Sequence, residues 1–161
     1  MQHTPPLFSK RAVVIGAGLG GACAAYALAQ RGWQVHIIDA APQAAQGASA
    51  LPVGLMAQPK GGLKTAAAHA PDWDGAGTAC TLRWLERFSA LGLLQKGQDW
   101  QICGTAHNTL WAKSPLQDAA HHTSSSTWIW QDDACWVKPQ RLVAACLSHP
   151  AIACTWQASV T

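Results

Sequence analysis

The chain has 161 residues, enough for one hydrophobic core and too few for two complete domains. Its formal charge is +3 with only 12% charged residues, and Lys and Arg gather no further than pairs such as Lys10-Arg11, so the electrostatic footprint of a nucleic-acid or anionic-membrane binder is absent. Ala alone numbers 31 and buries little, but nine Trp bury on the order of 150–250 Å² each, so the chain is expected to fold.

Met1 to Lys10 lacks an apolar signal-peptide core, and the longest apolar stretch, around Ala22 to Ala29, is too short to span a bilayer. A soluble, cytoplasmic protein is expected. Arg11 to Ile15 (RAVVI) is β-branched and apolar, which predicts a strand buried on both faces. Gly16-Ala17-Gly18-Leu19-Gly20-Gly21 follows at once and fits G-x-G-x-x-G. Ala22 to Arg31 then supplies helix formers that stop at Gly32. A second β-rich run, Gln34 to Ile38, ends in Asp39. Strand, glycine turn, helix, strand and terminal acid make one βαβ unit.

That spacing has a physical logic for a dinucleotide. Gly16 permits the tight turn, Gly18 leaves room for a pyrophosphate, and Gly21 lets helix and strand approach closely. The helix N-terminus attracts phosphate without Lys or Arg, and none occurs between Arg11 and Arg31. Asp39, 23 residues after Gly16, can accept hydrogen bonds from a ribose diol. Ala40, Ala41 and Pro42 offer no cation for a 2′-phosphate, which disfavours NADP.

The longer pattern Gly16-x-Gly18-x-x-Gly21-x-x-x-Ala25-x-x-Leu28-Ala29-x-x-Gly32 resembles the FAD fingerprint of the D-amino-acid oxidase-like family of flavoprotein oxidoreductases. Gly47-Ala48-Ser49-Ala50-Leu51-Pro52-Val53-Gly54 is similar to that family's G-A-S-G-x-x-x-G loop, which runs along FAD toward the flavin. The resemblance implies FAD as cofactor, held by Gly16, Ala17, Gly18, Leu19, Gly21, Asp39, Ala40, Gly47, Ala48, Ser49 and Gly54. Ser49 would touch the phosphate or ribitol side, and Gly54 would allow close backbone approach. Ala50 replaces the family's second Gly, against a left-handed backbone there. The loop also argues against NAD as the ligand.

Gln58 to Ala70, with Lys60-Gly61-Gly62 and Lys64, lacks the Gly-Lys-Ser/Thr of a P-loop and reads as an exposed loop entering a short helix. Ala79, Leu82, Trp84, Leu85, Phe88 and Leu91 recur at helical steps, predicting an amphipathic helix over Gly75 to Leu91. Glu86 sits beside Arg83 and Arg87 as a solvated ion-pair candidate. Trp100 to Leu110 reads as a strand, Ala112 to Thr127 as a polar hairpin connection, and Trp128-Ile129-Trp130 as a short half-buried strand. Pro139 suits the first turn of a helix over Gln140 to Leu147, and Ile152 to Thr161 reads as a last strand. Cys23, Cys80, Cys103, Cys135, Cys146 and Cys154 show no CxxC spacing and read as free thiols, with Cys103 and Cys135 in the core. His107, His121 and His122 have no ligand-spaced carboxylate, so no metal site is expected.

The expected fold class is α/β: a Rossmann-like FAD-binding βαβ unit with part of an antiparallel substrate-domain sheet, incomplete relative to the family. Residues 1–73 form the FAD-binding unit and flavin loop, 74–133 a partial substrate domain, and 134–161 the return to the cofactor domain. The resemblance implies oxidation of a C–N bond in a small-molecule amine or amino acid by hydride transfer to flavin; a tRNA-linked branch makes a modified tRNA base the alternative substrate. No catalytic side chain is assigned. The reading from another class is a non-catalytic dinucleotide-binding fragment that needs a complementing chain or associates with itself through exposed sheet edges.

Overall fold

The computed structural model describes residues 10–57, 73–108 and 128–158. In chain order these form β1 (Arg11–Ile15), α1 (Leu19–Ala29), β2 (Gln34–Ile38), a 3-10 turn (Ala48–Ala50), β3 (Gly54–Ala57), α2 (Trp73–Ala90), β4 (Trp100–Asn108), β5 (Trp128–Val137), α3 (Pro139–Leu147) and β6 (Ile152–Thr155).

The β-branched runs pair in parallel in the order β1-β2-β6, with Val13 beside His36 and His36 beside Ala153. Successive side chains alternate between faces. Val35 and Ile37 point to the face where Ala25 and Ala29 of α1 bury against them, and these small residues let the helix axis come close. On the opposite face Val13 and Ile15 are 64% and 70% exposed. The expected burial of this strand on both faces therefore fails. Among the described residues, β1 is an edge strand and no element covers that side of it.

The second sheet is antiparallel in the order β3-β5-β4. Val137 lies between Gly54 and Trp100, and Cys135 between Met56 and Ile102. One buried cluster joins the two sheets: Ala22 and Tyr26 of α1, Leu85 and Phe88 of α2, Trp100 and Val137 of the second sheet, and Leu142, Val143 and Cys146 of α3. The Tyr26 ring meets Trp84 edge-on at 5.2 Å and Phe88 at 4.9 Å, geometries that aromatic quadrupoles favour. Trp100 is buried, and its indole N–H donates to Ser89 Oγ at 2.8 Å, so the polar end of the largest core side chain is satisfied. Asp99 is also buried. Burial pushes its carboxyl up, but the Gln95 N–H and the Arg141 and Lys138 charges together outweigh that and hold it below its ordinary value.

Several boundaries differ from the sequence reading. Helix α1 starts at Leu19, inside the glycine motif, and ends at Ala29, three residues before the left-handed Gly32 (φ +81°). Leu91 follows the last turn of α2 and is 61% exposed, so it lies outside the apolar stripe. Glu86 is exposed, and the ion pair within 4 Å among the described residues is Arg141–Asp99 rather than one to Arg83 or Arg87. Strand β3 was not expected at all. Strand β5 runs unbroken through residues 128–137, and β6 has four residues where ten were expected. The expected loop over Gln58 to Ala70, the connection over Ala112 to Thr127, and His121 and His122 lie outside the described residues. All six cysteines are free; Cys135 and Cys146 are buried, and burial pushes the Cys135 thiol up. No described helix is long and apolar enough to cross a membrane.

The most crowded of the described glycines is Gly21, where a Cβ would fall 1.8 Å from the Gly16 carbonyl oxygen. Gly20, one residue earlier, would meet nothing within 4 Å. Gly21→Ala is expected to destabilise the protein by about 3 kcal/mol or more, because backbone must separate. Gly20→Ala should change stability by less than about 1 kcal/mol, in the stabilising direction that helix propensity favours. Urea unfolding of the two variants checks the contrast.

Candidate functional site

At the C-terminal end of the parallel sheet, the chain turns from β1 into α1 through Gly16, whose φ of +98° is left-handed. Its N–H donates to the Ile38 carbonyl at 2.8 Å, so strand pairing continues into the turn. Asp39 then closes the turn from below. Its Oδ2 accepts the Ala17 N–H at 2.5 Å and its Oδ1 accepts the Ala41 N–H at 2.7 Å. These two backbone hydrogen bonds hold the carboxyl below its ordinary value. Each carboxylate oxygen has a second lone pair, so Asp39 can still accept from a ligand's hydroxyls.

Ser49 reaches the same place from 30 residues away. Gly18, the residue preceding α1, has no side chain to cap the helix. The Ser49 hydroxyl does so instead, accepting the Leu19 N–H at 2.8 Å. A Cβ on Gly18 would meet Ser49 Oγ at 3.3 Å. Asp39, the glycine turn and the loop serine thus converge on one helix end, where unpaired N–H groups and the helix dipole favour an anion. Ser49 Oγ accepts from Leu19, and a hydroxyl also carries one proton that it can donate.

The other expected residues are placed as follows. Ala17 is buried beneath the turn, and Ala40 is exposed beside Asp39. Gly47 and Ala48 open the 3-10 turn and are exposed. Ala50 closes that turn without a left-handed backbone. Gly54 begins β3; a Cβ there would lie 3.4 Å from the Pro139 ring at the start of α3. Two features escaped sequence reasoning. Ala45 is left-handed and donates its N–H to the Ala17 carbonyl at 3.1 Å. Residues 155–158 wrap back onto Asp39 and Ala41. Neither leaves a local signal, since both are main-chain contacts made across long stretches of sequence.

The arrangement fits a dinucleotide: an open glycine turn, a capped helix N-terminus, a hydroxyl beside it and, at the end of β2, a carboxylate with free lone pairs. A family model described as FAD dependent oxidoreductase matches residues 11–149. The tRNA 5-methylaminomethyl-2-thiouridine biosynthesis bifunctional protein MnmC of Delftia acidovorans is 35% identical over 172 aligned positions, covering 92% of this chain and 25% of that protein. The protein of the same name from Albidiferax ferrireducens is 37% identical over 143 positions, covering 84% and 19%. The chain thus spans a quarter or less of the length of these curated relatives. Among solved structures, L-amino acid deaminase from Proteus vulgaris shares the fold with a TM-score of 0.58 at 14% identity, over 98% of this chain and 41% of that one. An Amadoriase I variant from Aspergillus fumigatus shares it with a TM-score of 0.53 at 13% identity, over 94% and 42%.

Because its folded-state pKa lies below the unfolded one, the ionised Asp39 contributes stability that is complete above the ordinary carboxylate range and lost as pH falls through the folded value. Asp39→Asn is expected to be less stable than the parent at neutral pH, with the gap narrowing as the solution is taken below about pH 4. Urea unfolding of both proteins across that range checks the sign.

Proposed function

Because the chain belongs to the FAD-dependent oxidoreductase family, we propose that it forms the dinucleotide-binding part of an enzyme oxidising a C–N bond. The observation that carries this reading is the convergence of Ser49 and Asp39 on the two ends of one glycine turn. In this reading Asp39 accepts the ribose hydroxyls and excludes a 2′-phosphate by charge. The N-terminus of α1 and the Ser49 hydroxyl bind the pyrophosphate. Gly18 keeps the approach open, while Gly47, Ala48 and Gly54 line the path of the loop toward the second sheet. FAD, when bound, supplies the two-electron acceptor; the chain's own residues bind and orient it.

The substrate class we propose is an amine. Support comes from the relatives at 35% and 37% identity, named for 5-methylaminomethyl-2-thiouridine biosynthesis, a tRNA modification whose side chain carries a secondary amine. A modified tRNA base and a free amino acid are the two forms this class takes, and the reducing cytoplasm is the compartment that six free thiols favour.

The open face of β1 supports a second reading, a binding module that needs a complementing chain or pairs with itself. Parallel sheets are ordinarily covered on both sides, and here Val13 and Ile15 are exposed.

Titration of the purified protein with FAD, followed by flavin fluorescence, is expected to show saturable binding. Ser49→Ala and Asp39→Ala should each weaken it on the order of tenfold, the loss expected for a hydrogen bond to a charged group. Anaerobic addition of an amine that bleaches the bound flavin supports the enzyme; FAD held without bleaching by any amine or modified tRNA supports the binding module. Absence of FAD binding overturns both.

A further inference from the structure

Among the described residues two non-glycine residues adopt a left-handed backbone, Ala45 (φ 59°) and Gln157 (φ 56°). A Cβ makes this conformation unfavourable, so it persists only where the surroundings enforce it, and such positions gather at functional sites. Both of these lie against the same knot. Ala45 donates its N–H to the Ala17 carbonyl, and Gln157 donates its N–H to the Ala41 carbonyl, each at 3.1 Å. The next amide, Ala158, donates to the Asp39 carbonyl at 3.1 Å, and the Thr155 carbonyl accepts the Asp39 N–H at 3.0 Å.

Residues 155–158 therefore grip both main-chain groups of Asp39 and the carbonyl of Ala41, while the Asp39 carboxylate grips the amides of Ala17 and Ala41. An extended continuation of β6 would alternate its amides and carry the chain away from the acid. The left-handed Gln157 turns two consecutive amides, 157 and 158, onto neighbouring carbonyls instead.

We propose that Gln157 is a positioning residue for the adenosine half of the cofactor: its left-handed backbone holds the Asp39 carboxylate in ligand-accepting orientation before any ligand arrives. This rests on reading Asp39 as the acid that takes the ribose. The contribution is from the backbone, and the exposed Gln157 side chain is dispensable.

The test compares Gln157→Gly, which adopts a left-handed backbone freely, with Gln157→Val, whose branched Cβ opposes it. Affinity for FAD is measured by flavin fluorescence and affinity for ADP by competition, in the parent and in an Asp39→Asn background. Gln157→Val is expected to weaken FAD and ADP alike, on the order of tenfold, and Gln157→Gly to stay within about twofold of the parent. In the Asp39→Asn background Gln157→Val should cost nothing further, because its effect travels through that carboxylate. Should Gln157→Val fail to fold, Gln157→Ala takes its place with the same ordering against Gly.

Equal losses for Val and Gly would assign the role to the side chain and overturn the proposal. So would an unchanged affinity in Gln157→Val, or a tenfold loss that survives in Asp39→Asn. A parent protein that binds neither FAD nor ADP overturns the dinucleotide reading itself, and this inference with it.

Discussion

The Asp39 carboxylate is the constraint on which the rest of the site depends. It is placed at the end of β2 by parallel pairing with β1 on one side and β6 on the other. From there it fastens the Ala17 and Ala41 amides with its two oxygens. Without it the amides of two consecutive crossings would compete for water, and the turn between β1 and α1 would lose its floor. The cost of placing a charge here is kept low by backbone donors, the Ala17 and Ala41 amides.

A second consequence concerns how the two sheets communicate. The loop that supplies Ser49 to the helix end runs directly into β3, and β3 hydrogen-bonds to β5 in the antiparallel sheet. The same β5 leads through Lys138 into α3, which packs on α1 in the shared core. The helix N-terminus that would receive the phosphates and the antiparallel sheet are therefore joined by short, hydrogen-bonded connections. A ligand lying from one to the other would follow a path the backbone already defines.

The βαβ unit was legible in the sequence because its signals are local: β-branched runs, a glycine turn, helix formers, and an acid at a set distance. Strands β1 and β2 match the residues read from those signals. The exposure of Val13 and Ile15 was not legible, because hydrophobicity reports what a strand can bury and not which side has a neighbour. Strand β3 was missed since GLMA is four residues long and owes its extended form to pairing with β5. The Ser49 motif was recognised, but its bond to Leu19, and the wrap of residues 155–158 around Asp39, exist only once distant segments meet. Ala50 in place of glycine is tolerated for a simple reason, since the 3-10 turn it closes requires no left-handed residue.

The most direct test of the central claim is a crystal structure of this protein grown with FAD. The account requires the pyrophosphate at the N-terminus of α1 beside the Ser49 hydroxyl, and the ribose diol within hydrogen-bonding distance of Asp39, with the backbone of residues 16–21, 39–41 and 155–158 unmoved. A dinucleotide bound elsewhere, or one that enters only after the Asp39–Ala17 hydrogen bond is broken and the turn rebuilt, would contradict it.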